Sequence, residues 1–279
     1  ADGALGTNLF AMGLQTGDAP ELWNTDHPER IAELAQRFID AGSDILLTNS
    51  FGGTRYRLQL HQAQDRVHEL NKASAQIIKQ LAEASERDII VAGSMGPTGE
   101  IFAPVGTLTY DEAYVAFKEQ AEALKAGGAD VLWIETISAV EEARVAYDAA
   151  VSTGLPVVYT MSMDTNGRTM MGVTPADLIQ LGTQFEHPPG ACGTNCGVGA
   201  AEVVAAIMNM KTAADNEGIE PVLVAKANCG IPEYVDGKIV YNGTPELMAD
   251  YARMVVDAGA RIVGGCCGTT PEHIAAMRD

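Results

Sequence analysis

Two adjacent cysteines, Cys266 and Cys267, close the apolar run Arg261-Ile262-Val263-Gly264-Gly265 and are followed by Gly268. Successive side chains of a regular strand point to opposite faces, so two neighbouring cysteines share one metal ion only where the strand ends between them and the backbone turns. Gly264, Gly265 and Gly268 permit that turn. A second segment, Gly193-Thr194-Asn195-Cys196-Gly197, also ends an apolar stretch on a cysteine followed by glycine. We read Cys196, Cys266 and Cys267 as the ligands of one zinc ion whose fourth position is left for a substrate sulfur. Thiolate softness selects zinc over magnesium or calcium. A thiol entering that position would be deprotonated near neutral pH, and the anionic ligand set would keep it nucleophilic. Taken alone, a Cys-Cys pair fits core packing as well as metal binding.

The elements that must carry these residues follow a repeat: an apolar β-branched run, a loop, then an amphipathic helix. Strands are predicted at residues 45–48, 88–92, 131–134, 156–160, 191–196, 221–225 and 261–265. Helices are predicted at 28–40, 62–86, 109–125, 139–151, 175–184, 199–216 and 244–257, with a last one from Pro271. Continuous apolar strands alternating with helices imply a parallel sheet covered on its outer face. With an eighth strand expected just before Asp2, where the chain starts abruptly, the pattern is an α/β (β/α)8 TIM barrel of a single domain spanning 1–279. A doubly wound open sheet is the competing architecture. In the barrel, Asp2, Asn49, Ser94, Glu135, Asn195, Cys196, Asn228, Cys266 and Cys267 all follow strands and ring one mouth.

Composition narrows the function classes. The formal charge of −19 argues against a nucleic-acid partner, which needs clustered Lys and Arg. No apolar run of about 18 residues marks a membrane span, and no basic segment with an apolar run opens the chain as a secretory leader would. Five cysteines, an odd number and partly adjacent, do not form a disulfide framework. A reducing, cytoplasmic compartment is expected, where such cysteines bind metals or take part in catalysis.

Gly193-Thr194-Asn195-Cys196 and the run from Gly264-Gly265-Cys266-Cys267-Gly268 to His273 resemble the two cysteine motifs of the homocysteine S-methyltransferase family. Asp2-Gly3-Ala4-Leu5-Gly6-Thr7, Thr48-Asn49-Ser50-Phe51-Gly52, Gly96-Pro97-Thr98-Gly99 and Ile134-Glu135-Thr136 resemble its other motifs, in the same order. The resemblance implies a zinc-dependent barrel with Cys196, Cys266 and Cys267 as ligands. It also implies that Asp2 and Glu135 receive the ammonium of L-homocysteine, and amides near Gly3 and Ala4 its carboxylate. Asn195, Phe51 and Trp23 complete the substrate-binding set, Trp23 as a match to the family's donor-side Trp. The overall run is most similar to stand-alone bacterial betaine–homocysteine methyltransferases, which implies glycine betaine as methyl donor and methionine as product. Gly52 and Thr136 stand where the animal betaine enzymes have Tyr, so their aromatic cage is not copied here. S-methylmethionine, or methylcobalamin carried by a corrinoid protein partner, are the alternative donors, and a homo-oligomer is compatible with the resemblance.

Other residues compete for roles. Cys192, four residues before Cys196, is expected to point the same way but deeper, as packing; Cys229 is the rival zinc ligand. Lys226 is read as an ion-pair partner of Glu135, the alternative being a Schiff-base lysine. His27, His61, His68, His187 and His273 show no ligand spacing, with His61 and His68 facing solvent. Met161, Met163, Met170 and Met171 are read as packing. A Schiff-base lyase and a non-catalytic homocysteine- or zinc-binding module are the competing functions.

Overall fold

The computed structural model describes residues 1–164, 166–235 and 238–279. Its strands are β1 (Ile45–Leu47), β2 (Ile90–Met95), β3 (Val131–Ile137), β4 (Val157–Met161), β5 (Ala191–Cys196), β6 (Leu223–Ala227), β7 (Pro232–Val235), β8 (Lys238–Tyr241) and β9 (Ala260–Gly265). Seven of them form a parallel sheet in the order β1-β2-β3-β4-β5-β6-β9, each the successor of its neighbour around a curled surface. Ala1 and Asp2 join its two edges: the Asp2 amide donates to the Ile45 carbonyl (3.0 Å) on β1, and the Gly265 amide on β9 donates to the Asp2 carbonyl (3.1 Å). The Ala1 nitrogen adds a bond to the Val263 carbonyl at 2.6 Å. The fold is therefore TIM-barrel-like, as the alternation of elements predicts, and the open sheet is set aside.

The helices are α1 (Gly6–Ala11), α2 (Trp23–Asp26), α3 (Pro28–Asp40), α4 (Arg55–Gln59), α5 (Val67–Ala84), α6 (Tyr110–Ala126), α7 (Val140–Val151), α8 (Pro175–Gln184), α9 (Ala200–Glu217), α10 (Pro245–Asp257) and α11 (Pro271–Arg278). Their starts are written locally: Pro opens α3, α8, α10 and α11, and Thr109 and Thr174 close capping boxes with Glu112 and Asp177. The helix expected from residue 62 begins only at Val67, because Gln62 has φ of 56° and residues Gln64–Arg66 form a 3-10 turn. The short helices α1, α2 and α4 and the β7–β8 hairpin are not predicted from the sequence pattern.

The two faces of the sheet explain the site's position. Side chains alternate along each strand, and Leu47, Ala92, Trp133, Val158, Ala191 and Val224 form one buried cluster drawn from six successive strands. They plug the barrel. Two residues further along each strand, on the same face, come Asn49, Ser94, Glu135, Thr160, Gly193 and Lys226. The alternation thus lays a polar ring directly above an apolar plug. The opposite faces of the strands pack with the helices in a larger cluster that contains Phe117, Leu132, Tyr147, Tyr159 and Cys192. Among the described residues, no helix is long and apolar enough to cross a membrane.

Candidate active site

A cavity of about 500 Å³ opens above that ring, lined by the Gly3–Thr7 turn, the strand ends at Asn49, Ser94 and Glu135, and by Cys196, Lys226, Cys266 and Cys267. The sulfurs of Cys196, Cys266 and Cys267 all lie within 4.8 Å of one another. Tetrahedral thiolate ligation of zinc at about 2.3 Å places sulfurs about 3.8 Å apart. The three side chains therefore fit a thiophilic divalent ion in number, donor type and spacing.

Backbone geometry brings the sulfurs together. Strand alternation alone would send Cys196 outward with Cys192, which is buried in the helix-side cluster. Instead Cys196 has φ of 62°, a left-handed value rare for a residue with a side chain, and Gly197 follows at 72°. At Gly197 a Cβ would meet the Met163 carbonyl oxygen at 2.1 Å, so only glycine completes the turn. On the other side, the Cys266 amide donates to the Ala227 carbonyl (2.7 Å), and the Cys267 carbonyl accepts from the Cys229 amide (2.8 Å). Asn228 clamps both segments: its amide group donates to the Gly197 carbonyl (2.7 Å), and its Oδ1 accepts from the Cys267 amide (3.0 Å). Gly268, with φ of 80°, takes the chain past the ring of Tyr241.

As free thiols, Cys196 and Cys267 are each held protonated by a neighbouring sulfur and by burial. Cys196 is pushed up to about 12, first by its hydrogen bond with Cys266, and Cys267 to about 11, first by its hydrogen bond with Cys196. A bound cation reverses this balance, since metal and protons compete for the same lone pairs. Cys229, the rival ligand, is buried, and its thiol donates to the Gly243 carbonyl (3.4 Å) outside the group of three. Cys192 is packing, as expected, but on the opposite face from the mouth.

The carboxylates differ from the expectation. Asp2 is 1% exposed and does not line the cavity. Its Oδ1 accepts from the Lys226 ammonium (2.7 Å) and its Oδ2 from the Leu47 amide (2.8 Å). Lys226 therefore pairs with Asp2 rather than with Glu135, and its ammonium lies 5.7 Å from the centre of the Trp133 ring that plugs the barrel. Burial lowers the affinity of Lys226 for its proton, but Asp2, Glu135 and Cys266 outweigh it and hold the ammonium above its ordinary value. Glu135 does line the cavity, and its Oε1 accepts from the Ser94 hydroxyl at 2.5 Å. Burial raises its carboxyl, opposed by Lys226 and Ser94. Gly3 and Ala4 line the same turn, yet the Ala4 amide is already given to the Thr269 carbonyl (3.1 Å).

Three further assignments change. Trp23 is not on the cavity wall: it is buried in the core beside α3, edge-on to His27 at 5.0 Å and with Arg30 over its ring at 4.9 Å. Asn195 is fully buried, and acts on its neighbours: its Oδ1 accepts from the Thr160 hydroxyl (2.6 Å) and the Thr136 amide (2.9 Å), locking a Thr136 whose φ is 62°. Met170 and Met171 are 84% and 67% exposed, while Met161 and Met163 are buried as expected. Phe51 lines the cavity, joined by Phe10, Glu21, Arg57 and His61, which the motif pattern did not assign to a site.

A model of the family described as homocysteine S-methyltransferase matches residues 1–279. Among solved structures, the chain is similar to the homocysteine methyltransferase MmuM from Escherichia coli in its oxidized form, with a TM-score of 0.80 and 25% identity over 99% of this chain and 94% of that one. The metallated form of the same enzyme gives a TM-score of 0.80 at 24% identity, over 99% and 94% of the two chains.

Proposed function

The chain belongs to the homocysteine S-methyltransferase family, and we propose from this that it methylates the sulfur of L-homocysteine to methionine, with zinc as its metal and glycine betaine as its donor. The observation that carries the proposal is the meeting of three cysteine sulfurs in one cavity with a buried, cavity-facing carboxylate. Cys196, Cys266 and Cys267 would hold the zinc, which when bound lowers the pKa of a substrate thiol and keeps it nucleophilic.

The chain's own residues supply recognition. Glu135, fixed by Ser94, receives the substrate ammonium, which in turn keeps the carboxylate ionised against the burial that raises it. Asp2 acts one layer below, anchoring Lys226 and the β1 amide so that the floor of the cavity is rigid and its charges are paired. The glycine-bearing turn from Gly3 to Thr7 offers backbone amides to the substrate carboxylate. The homocysteine sulfur forms a bond to the donor methyl carbon as the carbon–nitrogen bond breaks, and the electron pair stays on nitrogen to give dimethylglycine. No proton is removed from carbon or nitrogen in this step, so no general base is needed.

Methionine formation measured separately with glycine betaine, S-methylmethionine and methylcobalamin, on protein of known zinc content, tests this. Turnover with glycine betaine that disappears on chelation and returns with zinc is the expected result. No methionine from any donor overturns the proposal; turnover with S-methylmethionine or methylcobalamin alone overturns the choice of donor.

A further inference from the structure

Gly52 stands at a position where the resemblance puts Tyr in the animal betaine enzymes, and the structure puts a carboxylate beside it. Glu21 Oε1 accepts from the Gly52 amide at 2.6 Å, and a Cβ built on Gly52 would meet that same oxygen at 2.9 Å. A side chain at position 52 would therefore push the Glu21 carboxylate from its present place. Glu21 is 6% exposed, and it lines the cavity together with Phe51 and Phe10. Arg57 and His61 stand on the same wall and are exposed.

We propose that Glu21 is a specificity-determining residue that selects a positively charged, onium-type methyl donor. This rests on the proposed homocysteine methyl transfer and deepens its donor side. A quaternary ammonium or sulfonium has no proton to donate, so it is recognised by charge and by aromatic faces. Glu21 supplies the charge, and Phe51 and Phe10 the faces. Arg57 is placed to meet the carboxylate that glycine betaine and S-methylmethionine both carry. Burial pushes the Glu21 carboxyl up, with the Gly52 amide, Arg57 and His61 opposing; a bound onium holds it ionised.

The chemistry sets the kinetic signature. Methyl transfer from an onium to a thiolate destroys both charges on the way to the transition state. A carboxylate beside the onium therefore stabilises the bound donor more than the transition state, so it lowers KM without raising kcat.

The test is Glu21→Gln, whose amide oxygen still accepts from Gly52 and so keeps the loop in place. Steady-state kinetics with glycine betaine and S-methylmethionine should show donor KM raised about tenfold or more, kcat unchanged or higher, and homocysteine KM and zinc content as in the wild type. In parallel, titration calorimetry of zinc-loaded protein with glycine betaine and with tetramethylammonium should show weaker binding in the variant. An unchanged donor KM, or a kcat that falls with donor KM unchanged, overturns the role of Glu21. Wild-type protein that binds neither probe overturns it as well. Probes that bind in a Glu21-dependent way without any methionine being formed would instead overturn the proposed reaction and leave the onium site standing.

Discussion

Lys226→Met is the most informative single change at the floor of the site. In the wild type Lys226 and Asp2 are 2% and 1% exposed and 2.7 Å apart, and Glu135 is close enough to raise the lysine further. Methionine keeps the length and apolar stem but leaves two buried carboxylates with no cation. Breaking a buried pair by removing one partner costs about 3–5 kcal/mol, a large share of a net stability of about 5–15 kcal/mol. The pH dependence is fixed in sign. Lys226 is held above its ordinary value, so its contribution in the wild type is fully present at neutral pH and is lost only as pH rises through that raised value. Glu135 is raised by burial and lowered by Lys226, so removing the lysine raises it more; its charged form then destabilises the fold increasingly as pH rises. Urea unfolding should therefore show a larger deficit for Lys226→Met near pH 8 than near pH 5. In a double-mutant cycle, Asp2→Asn on the Lys226→Met background should recover most of the loss, leaving about 1–2 kcal/mol. A Lys226→Met deficit below about 1 kcal/mol, or one that Asp2→Asn leaves untouched, would refute the assignment of a coupled buried pair.

Other expectations concern function more directly. Glu135→Gln should raise the KM for homocysteine about ten- to a hundredfold, the range of a lost charge-assisted hydrogen bond, with zinc content and donor KM preserved; steady-state kinetics and elemental analysis check this. Cys196→Ala, Cys266→Ala and Cys267→Ala should each lose zinc and at least about a hundredfold in activity, and retention of both by any one removes that residue from the ligand set. Because a neighbouring sulfur and burial hold Cys196 and Cys267 protonated as free thiols, zinc affinity of the stripped protein should climb from about pH 6 to about pH 8, as competition with a chelator would report. Gly197→Ala should destabilise the fold by at least about 2 kcal/mol and weaken zinc binding, since its Cβ would meet the Met163 carbonyl; thermal melts with and without zinc separate the two effects.

Much of this was legible because it is local. The helices at Pro28–Asp40 and Pro175–Gln184 start and stop where the sequence predicts, since proline and threonine caps encode their own boundaries. The strand ends are equally local, and they place Cys196, Cys266, Cys267 and Glu135 at one mouth. What the pattern did not carry is partner choice across the barrel. Asp2 and Lys226 lie 224 positions apart, and nothing in either segment says that they meet each other rather than Glu135. Cys196 shows a different limit: alternation sends it to the helix side with Cys192, and only a left-handed residue before Gly197 returns it to the mouth. The family resemblance matches Trp23 to a donor-side Trp, yet its ring is buried against Arg30 and His27, while Glu21, two residues earlier, reaches the cavity. The β7–β8 hairpin has a consequence that the pattern did not carry either, the ring of Tyr241 against Gly268.

Charge pairing at the mouth ties these pieces into one account of the proposed reaction. Asp2 and Lys226 cancel each other at the floor of the cavity, which leaves Glu135 to face one substrate cation and Glu21 to face the other. Neither carboxylate is comfortable empty, because burial raises both, so each substrate cation that binds also relieves a desolvated anion. Transfer of a methyl group from an onium to a thiolate then removes charge from the reacting centre, and a site with an apolar plug below and Phe51 and Phe10 at its wall solvates the separated charges less well than water does. Ground-state charges held by fixed partners and a transition state less charged than its reactants are mutually consistent. The same consistency predicts that a neutral methyl donor of equal size would gain nothing from Glu21 and would bind Glu21→Gln at least as well as the wild type.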